Sequence, residues 1–334
     1  MSSFPVLTST LAPGPLAVLI QDKYKIKGPC VCRVFKTGIN HTYMVETSDK
    51  KFVLRIYSYN WRTEAEITEE LRLVLLLKEN GISVSYPIPD QANTYLQPIE
   101  APEGLRYAVL FSFAEGDKIR SLTPSTCWNI GSLMANMHRV TRGQKLDRVA
   151  YNSNTLTQLP YLYASEFFEK TMLEMQFVRS TGKFLTSLFE QVDSGQLRTG
   201  AVHLDLWYDN MNIKDEATIT LFDFDFCGNG WLLLDMAYFS MQLFHTEPDK
   251  GQYEIKLKHF MQGYERITPI HEEELRLIPY AGAAIWIFYL GVQSQRFDNW
   301  SNIFLTNNYL VRYIGMVKEW LAYNNIKIPT NHTP

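Results

Sequence analysis

The chain has 334 residues, of which 46% are hydrophobic and 20% are charged, and its formal net charge at pH 7 is -3. These proportions are typical of a soluble globular protein, and the length is sufficient for one large domain or two ordinary domains with a buried core. Lysine and arginine are scattered along the chain, which argues against a general nucleic-acid binder because such proteins usually present a basic surface.

The cysteine pattern and the apolar segments bear on the compartment of the protein. The four cysteines are Cys30, Cys32, Cys127 and Cys227. They match neither a zinc site nor a disulfide framework, which favours buried thiols in a reducing cytoplasm. No signal peptide is predicted, because the N-terminus lacks a basic region followed by an apolar run. Residues 277–292 are apolar but fewer than the roughly 20 that span a membrane, so a buried helix is predicted and no membrane contact is expected.

Residues 1–114 are predicted to form a small antiparallel β lobe with one main helix. Segments rich in β-branched and aromatic residues, separated by turn residues, indicate strands. These segments are residues 31–35, 42–46, 51–57, 95–98 and 107–113. Thr63 followed by Glu66 is a capping-box pattern, and apolar residues at helical spacing continue from there to the stop signal at Asn80 and Gly81.

Residues 115–334 are predicted to form a larger, mainly helical lobe after a linker at Glu115, Gly116 and Asp117. A helix is expected from Thr123 to about residue 139, with proline in its first position. Further helices are expected at residues 164–191, 231–244, 252–266, 272–295 and 308–323. A β-rich lobe, a hinge and a helical lobe in this order predict a two-lobed α+β fold with a nucleotide in the cleft between the lobes.

The most informative motif is His203, Asp205 and Asn210 at the spacing H-x-D-x-x-x-x-N, followed by Asp223. Phosphoryl transfer needs a carboxylate that orients the acceptor hydroxyl and takes its proton, and oxygen ligands that hold Mg²⁺ against the nucleotide phosphates. Asp205 suits the first task, and Asn210 and Asp223 suit the second. A strand at residues 217–222 would bring Asp223 beside the other two. The alternative is a solvated acidic loop, and His203 is expected to brace the loop backbone.

Two further segments are candidates for nucleotide binding. Gly38 and Asn40 lie between the first two predicted strands, where a glycine lets backbone amides approach phosphate oxygens. An ordinary hairpin glycine is the alternative. Phe111 and Phe113 belong to the predicted hinge strand, whose main chain would meet the edge of the adenine base.

Arg55 on the third predicted strand is a candidate phosphate ligand. Kinases place a lysine on this strand to contact the α- and β-phosphates, and a glutamate on the following helix holds it. Arg55 is always charged and offers a fork of donors to phosphate. Glu70 is the candidate partner, although Glu66 and Glu69 are close to it in sequence. The alternative for Arg55 is a surface charge on an edge strand.

The chain resembles the aminoglycoside phosphotransferase and choline kinase-like family, a branch of the protein-kinase-like fold, from about residue 35 to residue 320. The motifs that carry the resemblance are Gly38-x-Asn40, Phe52-Val53-Leu54-Arg55, Leu133-x-x-x-Met137-His138, His203-x-Asp205-x-x-x-x-Asn210, Phe222-Asp223-Phe224-Asp225 and Leu234-Asp235-Met236-Ala237. The resemblance implies that Asp205 is the catalytic base and that Asn210 and Asp223 bind Mg²⁺. It also implies that Asp235 braces the catalytic loop from the helix that follows.

Within this family, the chain looks most like bacterial stress-response kinase A, with homoserine kinase type II as a neighbour. The segments that are similar to the stress kinase are residues 52–87, the pair Asp223 and Asp225, and residues 296–298. Two positions depart from the family pattern. Leu204 stands where the family usually has glycine, and Arg55 stands where it usually has lysine.

These observations predict an ATP- or GTP-dependent, magnesium-dependent phosphotransferase. The predicted acceptor is a hydroxyl of a small molecule, such as an amino alcohol, a sugar or an aminoglycoside-like compound. The alternatives are a serine/threonine protein kinase like the stress-response kinase and a nucleotide-binding pseudokinase. The protein is expected to be a monomer or a dimer.

The helical lobe is rich in aromatic residues that could line an acceptor pocket. They are Trp207, Tyr208, Trp231, Tyr238, Phe239, Trp286, Tyr289 and Trp300. Their faces would suit a cationic or amphipathic acceptor, but ordinary core and helix packing explains most of these residues. Asp209 and Asp225 add negative charge near the catalytic loop, which would suit a cationic acceptor or a second metal ion.

Overall fold

A computed structural model describes residues 4–295 and 304–329 of the chain, which form two compact units. The first unit comprises the residues up to Gly116 together with Thr220–Asp225, and the second comprises Asp117–Ile219 and the residues from Phe226 onward. This division differs from a single boundary at residue 114, because the segment that carries Asp223 packs with the first unit. The predictions for residues 296–298 and for Trp300 lie outside the described residues.

A five-stranded antiparallel sheet forms the core of the first unit, as predicted. Its strands are β1 (Val31–Thr37), β2 (His41–Glu46), β3 (Lys51–Ile56), β4 (Leu96–Ala101) and β5 (Gly104–Ser112). The strand order is β1-β2-β3-β5-β4, and each neighbouring pair is antiparallel. This order places β3, which carries Arg55, in the middle of the sheet.

Two helices pack with this sheet, and the sequence predicted one of them. Helix α2 (Glu64–Glu79) begins at the expected capping box, in which Thr63 and Glu66 satisfy each other's backbone amides. Helix α1 (Pro13–Tyr24) was not predicted, because two prolines and a glycine at its start look like loop signals. Proline is tolerated in the first helical turn, where its missing N–H would have no partner. Three of the α1 side chains join the core of the sheet: Leu16, Ala17 and Ile20.

The second unit is mainly helical, with the boundaries close to those predicted except in one place. Its helices are α3 (Pro124–Thr141), α4 (Leu159–Ala164), α5 (Leu173–Glu190), α6 (Leu233–Thr246), α7 (Lys250–Glu265), α8 (Glu272–Gln295) and α9 (Asn307–Tyr323). The prediction of one helix over residues 164–191 is wrong at its start, because α4 ends at Ala164 and turns separate it from α5. The Ser165 hydroxyl donates to the carbonyl of Tyr161, and such a local bond competes with helix continuation.

Helices α3 and α7 contact each other closely through two glycines. A Cβ atom on Gly131 would lie 2.0 Å from the carbonyl oxygen of Phe260, and one on Gly263 would lie 2.0 Å from that of Trp128. The Ser132 hydroxyl donates to the carbonyl of Gly263 at 2.9 Å. Backbone therefore packs against backbone here, and no larger residue fits at either glycine without a shift of a helix.

Helix α8 is long and apolar enough to cross a membrane by length and composition, but 67% of its most apolar window is buried inside the protein. The carbonyl of Pro279 within α8 accepts a hydrogen bond from the indole nitrogen of Trp320 on α9 at 2.8 Å. This packing supports the prediction of a buried helix.

Short strands flank the motif of His203, Asp205 and Asn210. They are β6 (Thr199–Val202), β7 (Met211–Ile213), β8 (Ile219–Leu221) and β9 (Gly228–Trp231). Strand β6 pairs with β9, which was not predicted because two of its four residues are glycines. Glycine is required at Gly228, where a Cβ atom would lie 2.6 Å from the carbonyl oxygen of Val149. This motif begins directly after β6 and ends directly before β7.

Candidate active site

The Asp205 carboxylate is held by hydrogen bonds to both of its oxygens. The side-chain nitrogen of Asn210 donates to Oδ2 at 2.7 Å and to the Asp205 carbonyl at 2.9 Å. The hydroxyl of Tyr238 on α6 donates to Oδ1. These bonds hold both carboxylate oxygens and so orient the Asp205 side chain.

Asn210 and Asp223 each offer an oxygen of the kind that Mg²⁺ prefers. The hydrogen bonds of Asn210 use its nitrogen, which leaves the amide oxygen available as a ligand. Asp223 is 40% exposed and uses Oδ1 in an ion pair, which leaves Oδ2. Within residues 4–295 and 304–329, no group of three or more His, Cys, Asp or Glu side chains is arranged as a metal site. The donor chemistry of these two residues nevertheless fits magnesium.

A buried hydrogen-bond network braces the loop that carries Asp205. Asp235, which is fully buried, accepts the backbone N–H groups of His203 at 3.0 Å and Leu204 at 2.6 Å. Its carboxylate also lies 3.1 Å from Nε2 of His138, whose Nδ1 lies 2.7 Å from the hydroxyl of Tyr264. Residues of α3, α6 and α7 therefore meet at the start of the loop. The sequence identified Asp235 as a brace but gave no role to His138 and missed Tyr264.

His203 lies in the bracing position that the sequence predicts. Its ring is 1% exposed, and its Nδ1 accepts the backbone N–H of Asp205 at 3.2 Å. This hydrogen bond fixes the turn of the backbone immediately before the side chain of Asp205.

Leu204 stands where the family usually has glycine, and the structure shows how a leucine is accommodated there. Its φ is +61°, in the left-handed region that favours glycine. Its side chain is fully buried, its N–H bonds to Asp235, and its carbonyl accepts the hydroxyl of Tyr289 at 3.0 Å. The backbone strain is therefore offset by burial and by two fixed hydrogen bonds.

In the first unit, Arg55 joins two carboxylates. One terminal nitrogen lies 2.9 Å from Oε1 of Glu70, and the other lies 2.9 Å from Oδ1 of Asp223. The guanidinium also lies 5.4 Å from the ring centre of Phe111 and 5.8 Å from that of Tyr57. Burial alone would lower the pKa of Arg55, but the negative charges, led by Asp223, raise it above its ordinary value. Arg55 is thus a permanently charged bridge and not a surface charge.

Glu70 is the glutamate of α2 that pairs with Arg55. It is 1% exposed, as expected for the inner face of the helix. Glu66 belongs to the capping box, and Glu69 accepts two hydrogen bonds from Arg72 at 2.9 and 2.8 Å. The structure thereby separates three candidates that sequence spacing left open.

Asp225 and Asn40 form a tether within the first unit. Asp225 is 2% exposed and accepts hydrogen bonds from Asn40 at 3.1 Å and from the indole of Trp61 at 2.8 Å. Arg62 adds an ion pair at 3.2 Å, and the amide oxygen of Asn40 accepts the N–H of Ser58 at 3.1 Å. Asp225 is therefore already paired with a cation within the first unit.

The remaining predicted nucleotide contacts have ordinary structural partners. The N–H of Gly38 donates to the carbonyl of Asn40 at 3.2 Å, and a Cβ atom on Gly38 would meet that oxygen at a comfortable 3.9 Å. Phe111 is buried on β5, and Phe113 follows the strand with the amine of Lys51 5.8 Å from its ring centre. The side chains of Phe111 and Phe113 therefore serve packing. The adenine contacts predicted for this strand would involve only its main chain.

Two tyrosines of the aromatic set contact the loop that carries Asp205 through their hydroxyl groups. Burial, and then the Asp205 carboxylate, raise the pKa values of Tyr238 and Tyr289 well above 10, so both remain donors at neutral pH. Trp207 and Tyr208 pack edge to face at 4.7 Å. The role of Tyr238 was missed, although its place one turn after Asp235 on α6 was a signal that both side chains share a face.

Asp209, the second acidic residue of the loop, is paired with a lysine. Its Oδ1 lies 2.7 Å from the amine of Lys118. This ion pair is partly exposed.

Comparison with known proteins agrees with the geometry. The model of the phosphotransferase enzyme family (APH) matches residues 32–270. A homoserine kinase of Bartonella tribocorum is 24% identical over 276 residues, covering 79% of this chain and 80% of its own. The solved structure of amicoumacin kinase hAmiN with AMP-PNP, Ca²⁺ and Ami has a TM-score of 0.74 at 18% identity, covering 92% of this chain and 93% of its own. A microcompartment-associated aminopropanol kinase has a TM-score of 0.75 at 16% identity, covering 95% and 100%. At these identities the two structures show a shared fold.

Proposed function

The chain belongs to the phosphotransferase enzyme family, and from this premise we propose that it transfers the terminal phosphate of ATP or GTP to a hydroxyl group of a small molecule. The family match and the structural neighbours confirm the predictions of a phosphotransferase and of a protein-kinase-like α+β fold. The nucleotide, the metal ion, the acceptor and the residue roles are the content of the proposal.

The observation that carries the proposal is the arrangement of Asp205 and Asn210. Asp205 presents an oriented carboxylate on a loop whose backbone is fixed by Asp235. A carboxylate in this setting accepts the proton of an alcohol as the alcohol oxygen bonds to the terminal phosphorus and the bond from that phosphorus to the departing nucleoside diphosphate breaks. Asp205 is therefore the proposed general base, and the loop network keeps it in place.

Asn210 and Asp223 are the proposed magnesium ligands. When bound, Mg²⁺ would neutralise the charge on the phosphate oxygens of the nucleotide. Arg55 is proposed to contact phosphate with its guanidinium while the ion pair with Glu70 at 2.9 Å holds the side chain in place. Both metal ligands keep an oxygen for this task, as described above.

An amino alcohol or a related hydroxyl compound is the proposed acceptor, because relatives and structural neighbours are named as kinases of homoserine, aminopropanol and amicoumacin. The protein-kinase alternative predicts transfer to serine or threonine of a protein instead. The pseudokinase alternative depended on Leu204 and Arg55. The structure shows how Leu204 is accommodated and which carboxylates Arg55 pairs with, and both arrangements are compatible with an active loop.

The test is transfer of labelled phosphate from ATP and from GTP to homoserine, 1-amino-2-propanol, an aminoglycoside and a generic protein substrate. Wild-type protein with Mg²⁺ should phosphorylate a small molecule, and Asp205→Asn should lower the rate by at least about a hundredfold while nucleotide still binds. Asp209→Asn is the matched control, because Asp209 lies on the same loop but pairs with Lys118. Full activity of Asp205→Asn would contradict the base role, and exclusive labelling of the protein substrate would favour the alternative.

A second measurement tests the metal. ATP should raise the melting temperature in the presence of Mg²⁺ and much less after chelation with EDTA, because a ligand that binds the native state stabilises it. An equal shift with and without Mg²⁺ would remove the metal from the proposal.

A further inference from the structure

A cavity of about 370 Å³ lies in the second unit, apart from the loop that carries Asp205. Thr199 and Trp231, which face each other across strands β6 and β9, both line it. The motif that begins at His203 follows the other end of β6, about 10 Å further along at the usual rise of a strand. Pockets that hold small molecules commonly measure about 300 to 1,000 Å³, so this β6–β9 cavity has room for one.

One wall of the β6–β9 cavity is aromatic. The ring of Trp231 is partly exposed and packs edge to face against buried Phe189, with 5.4 Å between the ring centres. Tyr151 also lines the cavity, and its hydroxyl donates to the carbonyl of Phe226 at 2.6 Å. These contacts hold the rings in place without a ligand. A fixed aromatic surface favours a flat ring that can stack on it or meet it edge to face.

Another side of the β6–β9 cavity is bare backbone, because Gly200 and Gly230 line it. A Cβ atom on Gly200 would lie 2.3 Å from the carbonyl oxygen of Thr141, and one on Gly230 would lie 2.8 Å from Cδ1 of Leu234. The close packing behind these two glycines therefore keeps side chains off this surface. A planar molecule covers such a surface more completely than a bulky one does.

The polar groups of the β6–β9 cavity indicate an uncharged ligand. Gln144, Asn152 and Ser153 supply amide and hydroxyl groups, which both donate and accept hydrogen bonds. The two charged residues, Lys145 and Glu190, have opposite signs and are exposed. A charged ligand would gain attraction from one of them and repulsion from the other, and water and salt weaken both. Neutral groups that donate and accept therefore suit this cavity best.

We propose that the β6–β9 cavity is a second small-molecule site, which takes an uncharged, planar ring compound with an amide-like edge, the chemistry of a nucleobase or a related heteroaromatic compound. The cavity volume equals that of about a dozen water molecules, which matches a two-ring compound. This site goes beyond the proposed phosphotransfer, because Asp205 and its hydrogen-bond partners do not line it.

The test is a binding titration with naphthalene-2-carboxamide, a neutral, flat probe with an amide edge. The protein is labelled with 5-fluorotryptophan and observed by ¹⁹F NMR, and the resonance of Trp231 among the seven tryptophans is assigned with Trp231→Leu. The Trp231 resonance should shift saturably with a Kd below about 1 mM. Absence of a saturable shift at this resonance, up to the solubility of the probe, would overturn the proposal.

Three matched probes test the ligand class. Naphthalene-2-carboxylate and naphthalene-2-carboxamidine keep the ring but carry a negative and a positive charge. Decahydronaphthalene-2-carboxamide keeps the amide but is not flat. Each should bind at least about tenfold more weakly than naphthalene-2-carboxamide. Equal affinity for all four probes would show an unselective apolar surface and would overturn the proposed ligand class.

Two variants place the probe in the β6–β9 cavity. Thr199→Phe adds a ring that fills the cavity at a strand position where aromatic residues are tolerated, so the affinity for the probe should fall at least about tenfold. Ser153→Phe, from the opposite side, is the second filling variant if Thr199→Phe folds poorly. Trp207→Leu is the matched control: Trp207 packs against Tyr208 on the loop that carries Asp205, and the affinity should not change.

Unchanged affinity in a folded filling variant would overturn the site. Because the readout is binding at Trp231, the result does not depend on the base role of Asp205. Full activity of Asp205→Asn would contradict the proposed function and leave the β6–β9 site untouched.

Discussion

The guanidinium of Arg55 lies 2.9 Å from the carboxylate of Asp223, and the two residues are 168 positions apart in the sequence. The same guanidinium lies 2.9 Å from Glu70. A lysine has a single ammonium nitrogen, whereas the fork of arginine reaches two carboxylates at once. The arginine at this position therefore links the helix behind the sheet to the proposed metal ligand, which itself has a left-handed backbone with φ at +65°.

Arg55→Ala should lower the free energy of unfolding by about 3 to 5 kcal/mol, because it leaves the buried Glu70 without its cation. Arg55→Lys should lower the free energy of unfolding by less, since an ammonium group still neutralises one of the two carboxylates. The measurement is chemical denaturation followed by circular dichroism. Arg72→Ala is the control: Arg72 pairs with Glu69 on the exposed side of the same helix, where an ion pair contributes about 0.5 kcal/mol or less. Equal losses for Arg55→Ala and Arg72→Ala would contradict the buried bridge.

At Leu204, substitution by glycine should be less destabilising than substitution by alanine, which is the reverse of the order expected within a helix. Both Leu204→Ala and Leu204→Gly lose a buried side chain, at about 2 to 5 kcal/mol for the alanine variant. Glycine also relieves the strain of a φ of +61°, so Leu204→Gly should be more stable than Leu204→Ala by about 1 kcal/mol. Leu185, buried in the middle of α5, is the control, and there glycine should be less stable than alanine by about 1 kcal/mol. If the glycine variant were less stable than the alanine variant at both positions, the backbone strain at Leu204 would be negligible.

Stability should fall as the pH rises above about 10. Burial raises the pKa of Tyr313 well above its ordinary value of 10.0, so above that pH the unfolded chain releases a proton that the folded chain retains. The unfolded state then binds fewer protons than the native state, which makes the free energy of unfolding decrease by about 1.4 kcal/mol per pH unit for each such tyrosine. Tyr313→Phe should be less stable at neutral pH but should lose stability less steeply between pH 10 and pH 11. Urea denaturation at several pH values measures both slopes, and parallel slopes would contradict the shift.

Local signals in the sequence predicted much of the fold because local physics decides those elements. The capping box at Thr63 and the apolar periodicity of α8 depend on residues a few positions apart, so their positions follow from the sequence. Helix α1 was missed because its formation depends on burying Leu16 and Ile20 against a sheet that begins later in the chain. Strand β9 was missed for the same reason, since Gly228 serves a close contact with the distant backbone of Val149.

In the candidate site, too, the sequence predicts contacts between neighbouring residues but not contacts between residues far apart in the chain. The bond between Asp205 and Asn210 spans one short loop, and the motif spacing predicts it. The contact between Tyr238 and Asp205 joins a loop to a helix, and an aromatic residue on a buried helix is not distinguished by sequence from a core residue. The engagement of Asp225 by Asn40 and Trp61 is likewise a long-range contact, and it changes an expected free charge into a structural one.

The close contact of α3 and α7 has a consequence for engineering this protein. Gly263 immediately precedes Tyr264, and His138 lies two turns beyond Gly131, so the separation of these helices sets the 2.7 Å bond between tyrosine and histidine. Replacement of helix glycines by alanine is a common route to thermostability, since it restricts the unfolded chain. At these two positions the added methyl group would instead force the helices apart and slacken the support behind Asp235, so a programme of stabilisation should leave both glycines untouched.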